Sequence, residues 1–514
     1  MKNAIPYLLA LLLLLSALAG CTSAPQSDNN PASTDGNASS PLDTDLDTVI
    51  FWIPDFGTDV TDVKDVEAAI NAITTNAIGV QLVLHYISVG DYGTQLSLAV
   101  VNGEQIDLAL YTPVDSSAWL NFYANGVILD ISDLLDAYCP ALKDLIGEDI
   151  LSVNSVDGAI YGLSNYRQLN SNTYLCYRTD VLEQAGVLDT FKSMTSWDTF
   201  ESVLLAITEN CGNVYAIGGA GDQPVTSDKC VWGTGSFSDA HSWDALGDTL
   251  NVIYTDQEGH VSNAFQQQDM IDTYKMVADW YQKGYVYPDS AISADASEVM
   301  IMQKVYAGSC VDSEYGVEAN KTQACGTDMT CIEVVPGRIS TDEMRKLGMF
   351  IPSSSKEPEA AAKLLNLIYT NSEIMNLLVN GIEGTHYTVT DGLGSFPAGK
   401  DISSCGYHTY DFLLGNQFLC VPWEGSQGGA DFRDAAYADF LAAPKSVYCG
   451  LTVDTSGLNT VIAALSSVKD EYYFQIANGQ YTDEIYAEFL AKQEAAGAAE
   501  YVSLYQAAVD AFLD

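Results

Sequence analysis

The chain has 514 residues, 47% of them hydrophobic, and its 68 Asp and Glu outnumber 21 Lys and Arg to give a formal charge of −47. That length buries a large core and accommodates two domains. A nucleic-acid partner does not fit, because phosphate contact needs Lys and Arg; the charge suits a soluble monomer and is equally compatible with a salty habitat.

The N-terminus carries Lys2, an apolar run from Tyr7 to Leu15 and small residues to Gly20. The run is too short to span a membrane, no stop-transfer pattern follows, and residues 1–20 read as a secretory signal. Leu18-Ala19-Gly20-Cys21 resembles a bacterial lipobox. That resemblance implies cleavage before Cys21 and lipidation of its thiol, palmitate included, so that the protein is extracytoplasmic and anchored to the cell membrane. Residues 21–46 are mostly Ser, Thr, Asn, Asp, Pro and Gly. Such a segment buries too little apolar surface to offset its ordering entropy, and reads as a tether.

TVIFWIP (48–54) is a β-branched and aromatic strand closed by Pro54. Val63, Val66, Ile70, Ile73 and Ala77 recur at helical spacing. VQLVLHY (80–86) is a second strand, a helix covers about 91–102, and IDLALY (106–111) is a third strand. This β-α-β-α-β order predicts a mostly parallel sheet with covering helices. Asp157-Gly158 marks a hairpin turn. The chain then runs extended to Tyr177, with helices from Thr179 to Gly186, from Trp197, and over 263–284. Strands follow at 305–310, 331–337 and 347–351. Pro358 fits the first turn of a helix and Asn371 and Ser372 fit the caps of the next. The C-terminus is helical over about 457–477, 482–496 and 498–513.

Cys21 aside, ten Cys remain, an even set that permits disulfides outside the cytoplasm. Cys325 and Cys331 bracket a short turn and form the best local pair. No C-x-x-C occurs, which argues against zinc or thioredoxin-like sites. No metal or cofactor site is expected. The G-x-S-x-G, H-E-x-x-H and Walker A patterns are also missing. His85, His241, His260, His386 and His408 are scattered.

YGLSNYRQLNSNTYLCYRTDVLEQAG (161–186), IPSSSKEPEAAAKLLNLIYTNSEIMNLL (351–378), GIEGTHYTVTDG (381–392) and NQFLCVPWEG (416–425), together with the lipobox and tether, resemble extracellular solute-binding lipoproteins of ABC importers, family 1-like and similar to sugar receptors, over roughly 47–514. The resemblance implies an α/β, two-lobed periplasmic-binding-protein-like fold with a hinge and an interlobe ligand cleft. Lobe one is then 47–164 and 349–400, and lobe two 165–348 and 401–514. The implied function is capture of a small polar solute, with a mono- or oligosaccharide favoured, by hinge closure and delivery to ABC transporter permease subunits. Neither catalysis nor a cofactor is implied. The alternatives are a secreted hydrolase acting on glycans and a structural or adhesive surface lipoprotein.

Ligands in open α/β sheets meet loops at the carboxyl ends of strands. Those loops carry Asp55, Tyr111 and Asp115 in lobe one, Tyr166 and Arg167 at the first crossing, and Trp232, Asp312, Tyr315, Trp423 and Glu424 in lobe two. Flat aromatic faces suit sugar C–H surfaces, and carboxylates suit hydroxyls. Arg167 has two open roles: clamping an anionic group or pairing with nearby carboxylates. In GIEGTHYTVTDG the acid and imidazole read as fixing a loop at a helix stop, ahead of a strand and a hairpin turn at Asp391-Gly392.

Overall fold

The computed structural model describes residues 46–58, 60–220, 223–226 and 230–514. The signal, Cys21, the tether up to residue 45, and part of the loop 218–222 lie outside the described residues.

β1 (Asp47–Asp55) buries Val49, Phe51 and Ile53 on one face, as the two-residue period of a strand requires. α1 (Val63–Ile78) returns over it, burying Val66, Ile70 and Thr74, and stops at Gly79, which adopts φ 69°. β2 (Val80–Ser88) pairs in parallel with β1 from Asp47↔Val80 to Asp55↔Ser88. α2 (Val89–Val101) leads to β3 (Ala109–Tyr111), and Phe51 bridges Leu108 in parallel. The third strand is shorter than expected because Asp107 is turned inward. Its buried carboxylate accepts the Ile50 N–H at 3.0 Å and the N–H groups of Lys356 and Glu357 at 2.9 and 3.0 Å. A single buried acid thus ties the sheet to the start of a distant helix.

At Asp157-Gly158 both residues have positive φ, 52° and 84°, and close the expected hairpin. β4 (Leu163–Ser164) then precedes the first crossing. β5 (Asn172–Arg178), buried along its whole length, is the centre of a second sheet. α3 (Thr179–Ala185), α4 (Trp197–Asn210) and α5 (Gln268–Gln282) follow. β6 (Gly308–Ser313), α6 (Val317–Cys325) and β7 (Met329–Val335) complete that sheet, with β6 and β7 antiparallel to β5 on either side. β8 (Gly348–Phe350) returns to the first unit, inserted antiparallel between β3 and β4.

Pro358 opens α7 (Pro358–Thr370), and the Asn371 carboxamide caps α8 (Ser372–Asn380) by accepting from Glu373 and Ile374 N–H. The hairpin β9 (Thr388–Thr390) and β10 (Leu393–Ser395) turns at Asp391-Gly392. His386 is buried and holds the loop before it: its Nδ1 accepts the Ile382 N–H at 2.8 Å, and Nε2 lies 3.4 Å from Asp62. After α9 (Phe432–Ala442) come α10 (Asn459–Ala477), α11 (Asp483–Ala496) and α12 (Ala498–Leu513), close to the expected spans.

One core joins β1–β3 and β8 to α7 and α8, through Phe51, Leu82, Leu110, Met349, Leu364 and Ile368. Tyr407, Leu413, Leu414, Cys420 and Phe440 pack into this same core, although the resemblance assigns 401–514 to lobe two. A second core gathers Leu175, Tyr177, Trp197, Phe200, Trp232 and Trp280. A third, rich in Tyr274, Tyr448, Tyr473, Tyr486, Tyr501 and Tyr505, joins α5 to the C-terminal helices. Much of the chain's complement of 30 Tyr therefore builds core.

Candidate ligand-binding cleft

The first crossing is fixed by backbone bonds to two other segments. Asn165 N–H donates to Leu347 O at 3.0 Å, Tyr166 N–H to Gly415 O at 2.7 Å, and Gln417 N–H to Tyr166 O at 3.0 Å. Three strands of chain, at 165–168, 345–347 and 415–417, therefore pass side by side. The third lies beyond the boundary near 400 at which the resemblance placed the last crossing.

Arg167 is buried here. Its Nη1 donates to Gln168 O at 2.7 Å and to Glu314 at 2.9 Å, and Nη2 donates to Glu343 O at 3.1 Å. Of its two expected roles, the structure favours pairing with carboxylates. Burial, with Asp411 and Glu343 nearby, raises the Glu314 carboxyl above its ordinary range despite Arg167. Gln168 accepts the Tyr315 N–H at 2.9 Å, which ties the crossing to the segment beyond β6.

A cleft of about 830 Å³, its open mouth included, lies against this crossing. The ends of β5 and β6 supply Thr173 and Asp312, the loop at 242–245 supplies Ser242 and Trp243, and the return segment supplies Arg338, Ser340, Asp342, Glu343 and Lys346. β6 is antiparallel to β5, so the carboxyl end of β6 and the amino end of β5 meet at the crossing, and Thr173 Oγ1 donates to Asp312 at 2.6 Å. Ser340 caps a short helix, Thr341–Arg345, which holds the charged run 342–346 in place. Trp243 is anchored by its Nε1–H to Ile253 O at 2.8 Å. Hydroxyls, carboxylates and a guanidinium facing one polar recess, walled by the buried edge of Trp243, can bind a polyhydroxylated solute through many hydrogen bonds.

Other expected residues are elsewhere. Asp55 shapes the turn after β1, accepting Gly57 and Thr58 N–H at 2.8 and 3.1 Å. Asp115 begins a 3-10 turn, Asp115–Ser117, and its side chain is outside the described part of the structure. Tyr111 and Trp232 are both 0% exposed, which corrects the expectation that either offers a ring face to ligand. The Tyr111 hydroxyl accepts from Asn154 at 2.9 Å, and burial pushes the phenol up to about 12. Trp232 stacks on Trp197 at 4.6 Å and 12°. Tyr166 is likewise buried, edge-on to Phe418 and Phe440. It is a hinge-core residue rather than an open platform.

Tyr315 is half-buried against Phe432, with centroids 5.9 Å apart. Trp423 is half-buried between Phe396 at 4.6 Å and His408 at 4.8 Å, and its Nε1–H donates to Asn380 at 3.1 Å. It borders a smaller cavity of about 350 Å³ with His408, Tyr410 and Arg433. Burial depresses His408 to about 4, so the imidazole is neutral. Glu424 is exposed, and its N–H donates to Gly394 O at 2.8 Å. Of the expected set, Asp312 alone lines the large cleft, with Arg167 behind its floor. Trp243 and the 338–346 run were missed, although Ser340 and Glu343 stand in the S-x-x-E capping spacing.

Among the described residues, the grouping with metal-ligand chemistry is Asp256, Glu258 and His260, whose ligand atoms lie within 4.8 Å of one another. His260 Nδ1 is 2.7 Å from Asp256, so the cluster is already internally bonded. Among the described residues no helix is long and apolar enough to cross a membrane.

Residues 68–387 match the model of the bacterial extracellular solute-binding proteins. The chain belongs to that family. This solute-binding protein is 23% identical over 444 residues to a carbohydrate ABC transporter substrate-binding protein of Streptococcus pneumoniae serotype 4, covering 84% of each chain. Its fold is similar to that of the N-glycan transport solute binding protein of S. pneumoniae, with a TM-score of 0.74 at 20% identity, covering 91% of this chain and 99% of the other. An extracellular solute-binding protein from Bifidobacterium longum subsp. infantis also resembles it, with a TM-score of 0.62 at 15% identity over 91% and 99% of the two chains. The two-lobed solute-binding architecture expected from sequence is thereby established.

Proposed function

We propose that this solute-binding protein captures a carbohydrate, a mono- or oligosaccharide, outside the cell and delivers it to the permease subunits of an ABC transporter. The observation that carries the reading is the cleft at the crossing segments, where Asp312, Asp342, Ser242 and Ser340 offer polyol chemistry at the joint between two cores. The similar pneumococcal proteins support the ligand class, one being a carbohydrate ABC transporter substrate-binding protein and the N-glycan transport solute binding protein having been solved with Man1GlcNAc and with Man5GlcNAc. Lobe one comprises 47–164 and 349–400, extended through 401–443 on the packing of Tyr407, Leu414 and Phe440. Lobe two comprises 165–348 and 444–514. Ligand contacts made with both lobes favour the closed state, and the transporter senses that state. Cys21 carries the lipid that keeps the receptor at the membrane, and the receptor acts as a monomer without chemistry on its ligand.

A thermal-shift screen of saccharides, peptides and organic acids, followed by calorimetric titration, tests the reading. A saccharide that raises the melting temperature and is recovered unchanged supports it. Stabilisation by peptides alone, or turnover of a glycan, overturns it.

A further inference from the structure

The sheet of the second core sets two cysteines face to face. β7 pairs with the central strand β5 so that Cys331 lies directly opposite Cys176. In an antiparallel ladder such pairs alternate between those that exchange backbone bonds and those that do not, and in the latter the Cα atoms approach to about 4.5 Å. Cys331 is of the second kind. Its N–H donates to the Glu318 carboxylate at 3.0 Å. The bonded position, where Thr179 N–H donates to Asp328 O at 2.9 Å, is an odd number of steps along the ladder. A separation of about 4.5 Å lies inside the Cα span that a disulfide bridges. Cys176 is enclosed, Cys331 is half-buried, and both pack in the same small core. Cys310 on β6 opposes Leu175, so alternation sends it to the other face. Cys325, at the end of α6, shares the small core around Cys176 and is the one competitor there among the described residues.

We propose that Cys176 and Cys331 become a cross-strand disulfide as the exported chain folds, by exchange with a disulfide of a low-molecular-weight thiol or of a thiol oxidoreductase. The Cys331 thiolate attacks one sulfur of that disulfide and expels a thiolate. The Cys176 thiolate then attacks Cys331 Sγ in the mixed disulfide and expels the second. Two electrons pass from the pair to the oxidant, and the two thiol protons end on the two released thiols. The exchange belongs to folding rather than to the finished sheet. Once folded, the neighbouring Cys176 thiol and burial push the Cys331 thiol far up and suppress the thiolate that exchange needs. The product ties the strand that leaves the first crossing to the strand that enters the second, and closes most of lobe two into one covalent loop.

The test is to unfold the full chain in reductant, refold it in a mixture of reduced and oxidised glutathione, alkylate it in denaturant, and map its peptides without reduction. The expected result is one linkage, Cys176 to Cys331, in protein whose melting temperature is roughly 3–8 °C above that of the reduced form. Cys176→Ser and Cys331→Ser each remove that redox difference, whereas Cys325→Ser keeps both linkage and difference. Alkylation of both cysteines in cooperatively folded protein overturns the proposal. So does a Cys325–Cys331 linkage, or loss of the redox difference in Cys325→Ser, and these readouts do not depend on any ligand.

Discussion

Arg167 and Glu314 join the first crossing to the end of the second sheet through a 2.9 Å bond, with the Arg167 side chain 6% exposed and that of Glu314 35%. The pair holds the hinge from both sides, because Arg167 also reaches the Glu343 carbonyl on the return segment. Removing Glu314 leaves the buried guanidinium with two carbonyls and the more distant Glu343 carboxylate, 3.9 Å from Nη2. Glu314→Ala is expected to cost about 1–2 kcal/mol in urea unfolding, because Glu314 is partly exposed and Glu343 remains as a counter-charge. The pH response has a definite sign. The folded-state value of Glu314 is raised above 4.5 by burial, then by Asp411 and Glu343. Its contribution is therefore fully present below the ordinary carboxylate range and is lost as pH rises through the raised value. Glu314→Gln removes that decline, which a series of unfolding curves from pH 4.5 upward measures.

His408 gives the opposite slope. Burial against Phe396 and Trp423 lowers it from 6.5 to about 4. The unfolded chain binds the proton more readily, so stability is present above pH 6.5 and is lost as pH falls toward 4, by about 3 kcal/mol at most. His408→Phe keeps a ring in place and cannot titrate. Unfolding at pH 7 and pH 4.5 should show the loss in the parent protein and its absence in the variant.

Trp232 and Asp312 separate core from cleft. Trp232→Ala empties a fully buried site stacked on Trp197 and is expected to cost about 3–5 kcal/mol while leaving the saccharide affinity of the folded fraction unchanged. Asp312 is exposed at the cleft but accepts from the buried Thr173 hydroxyl, so Asp312→Ala should change stability by about 1–2 kcal/mol. It should weaken saccharide binding about tenfold or more, the worth of a charge-assisted hydrogen bond. Calorimetric titration beside urea unfolding reads both quantities for both variants.

These contrasts mark what the sequence could express. The β1-α1-β2 unit, Pro358 at a helix start, the Asn371 cap and the Asp157-Gly158 and Asp391-Gly392 turns are local devices, and each was legible because its cause lies within a few residues. The position of the third hinge segment was not: a crossing was expected at 400–401, but the bond that sets the segment joins Tyr166 to Gly415, distant in sequence. Tyr111 and Trp232 show the same limit at the site: an aromatic near a strand end has one appearance in sequence whether its faces are open or enclosed. Asp312 could be placed because an acid at a carboxyl strand end is rarely core. Trp243 could not, since the loop at 242–245 meets the return segment only in the fold. Cys176 faces Cys331 through strand register, whereas sequence proximity pointed to Cys325 and Cys331.

Gly348 makes the return crossing possible, and its replacement is the sharpest test of that geometry. A Cβ at this position would stand 2.1 Å from Tyr111 Oη and 2.2 Å from Leu163 O. The phenol could yield, but the carbonyl belongs to β4, which pairs with β8 through Leu163 and Ser164. No side-chain rotation relieves that second contact, so β8 must shift within the sheet. Gly348→Ala is expected to cost about 3 kcal/mol, at the upper end for overpacking. Adding Tyr111→Phe removes the hydroxyl contact but keeps the ring Cζ, 2.3 Å from the same Cβ, and takes from Asn154 the nearer of its two acceptors. The double variant should therefore recover little of the loss in urea unfolding. Full recovery would place the obstruction on the phenol and not on the strand.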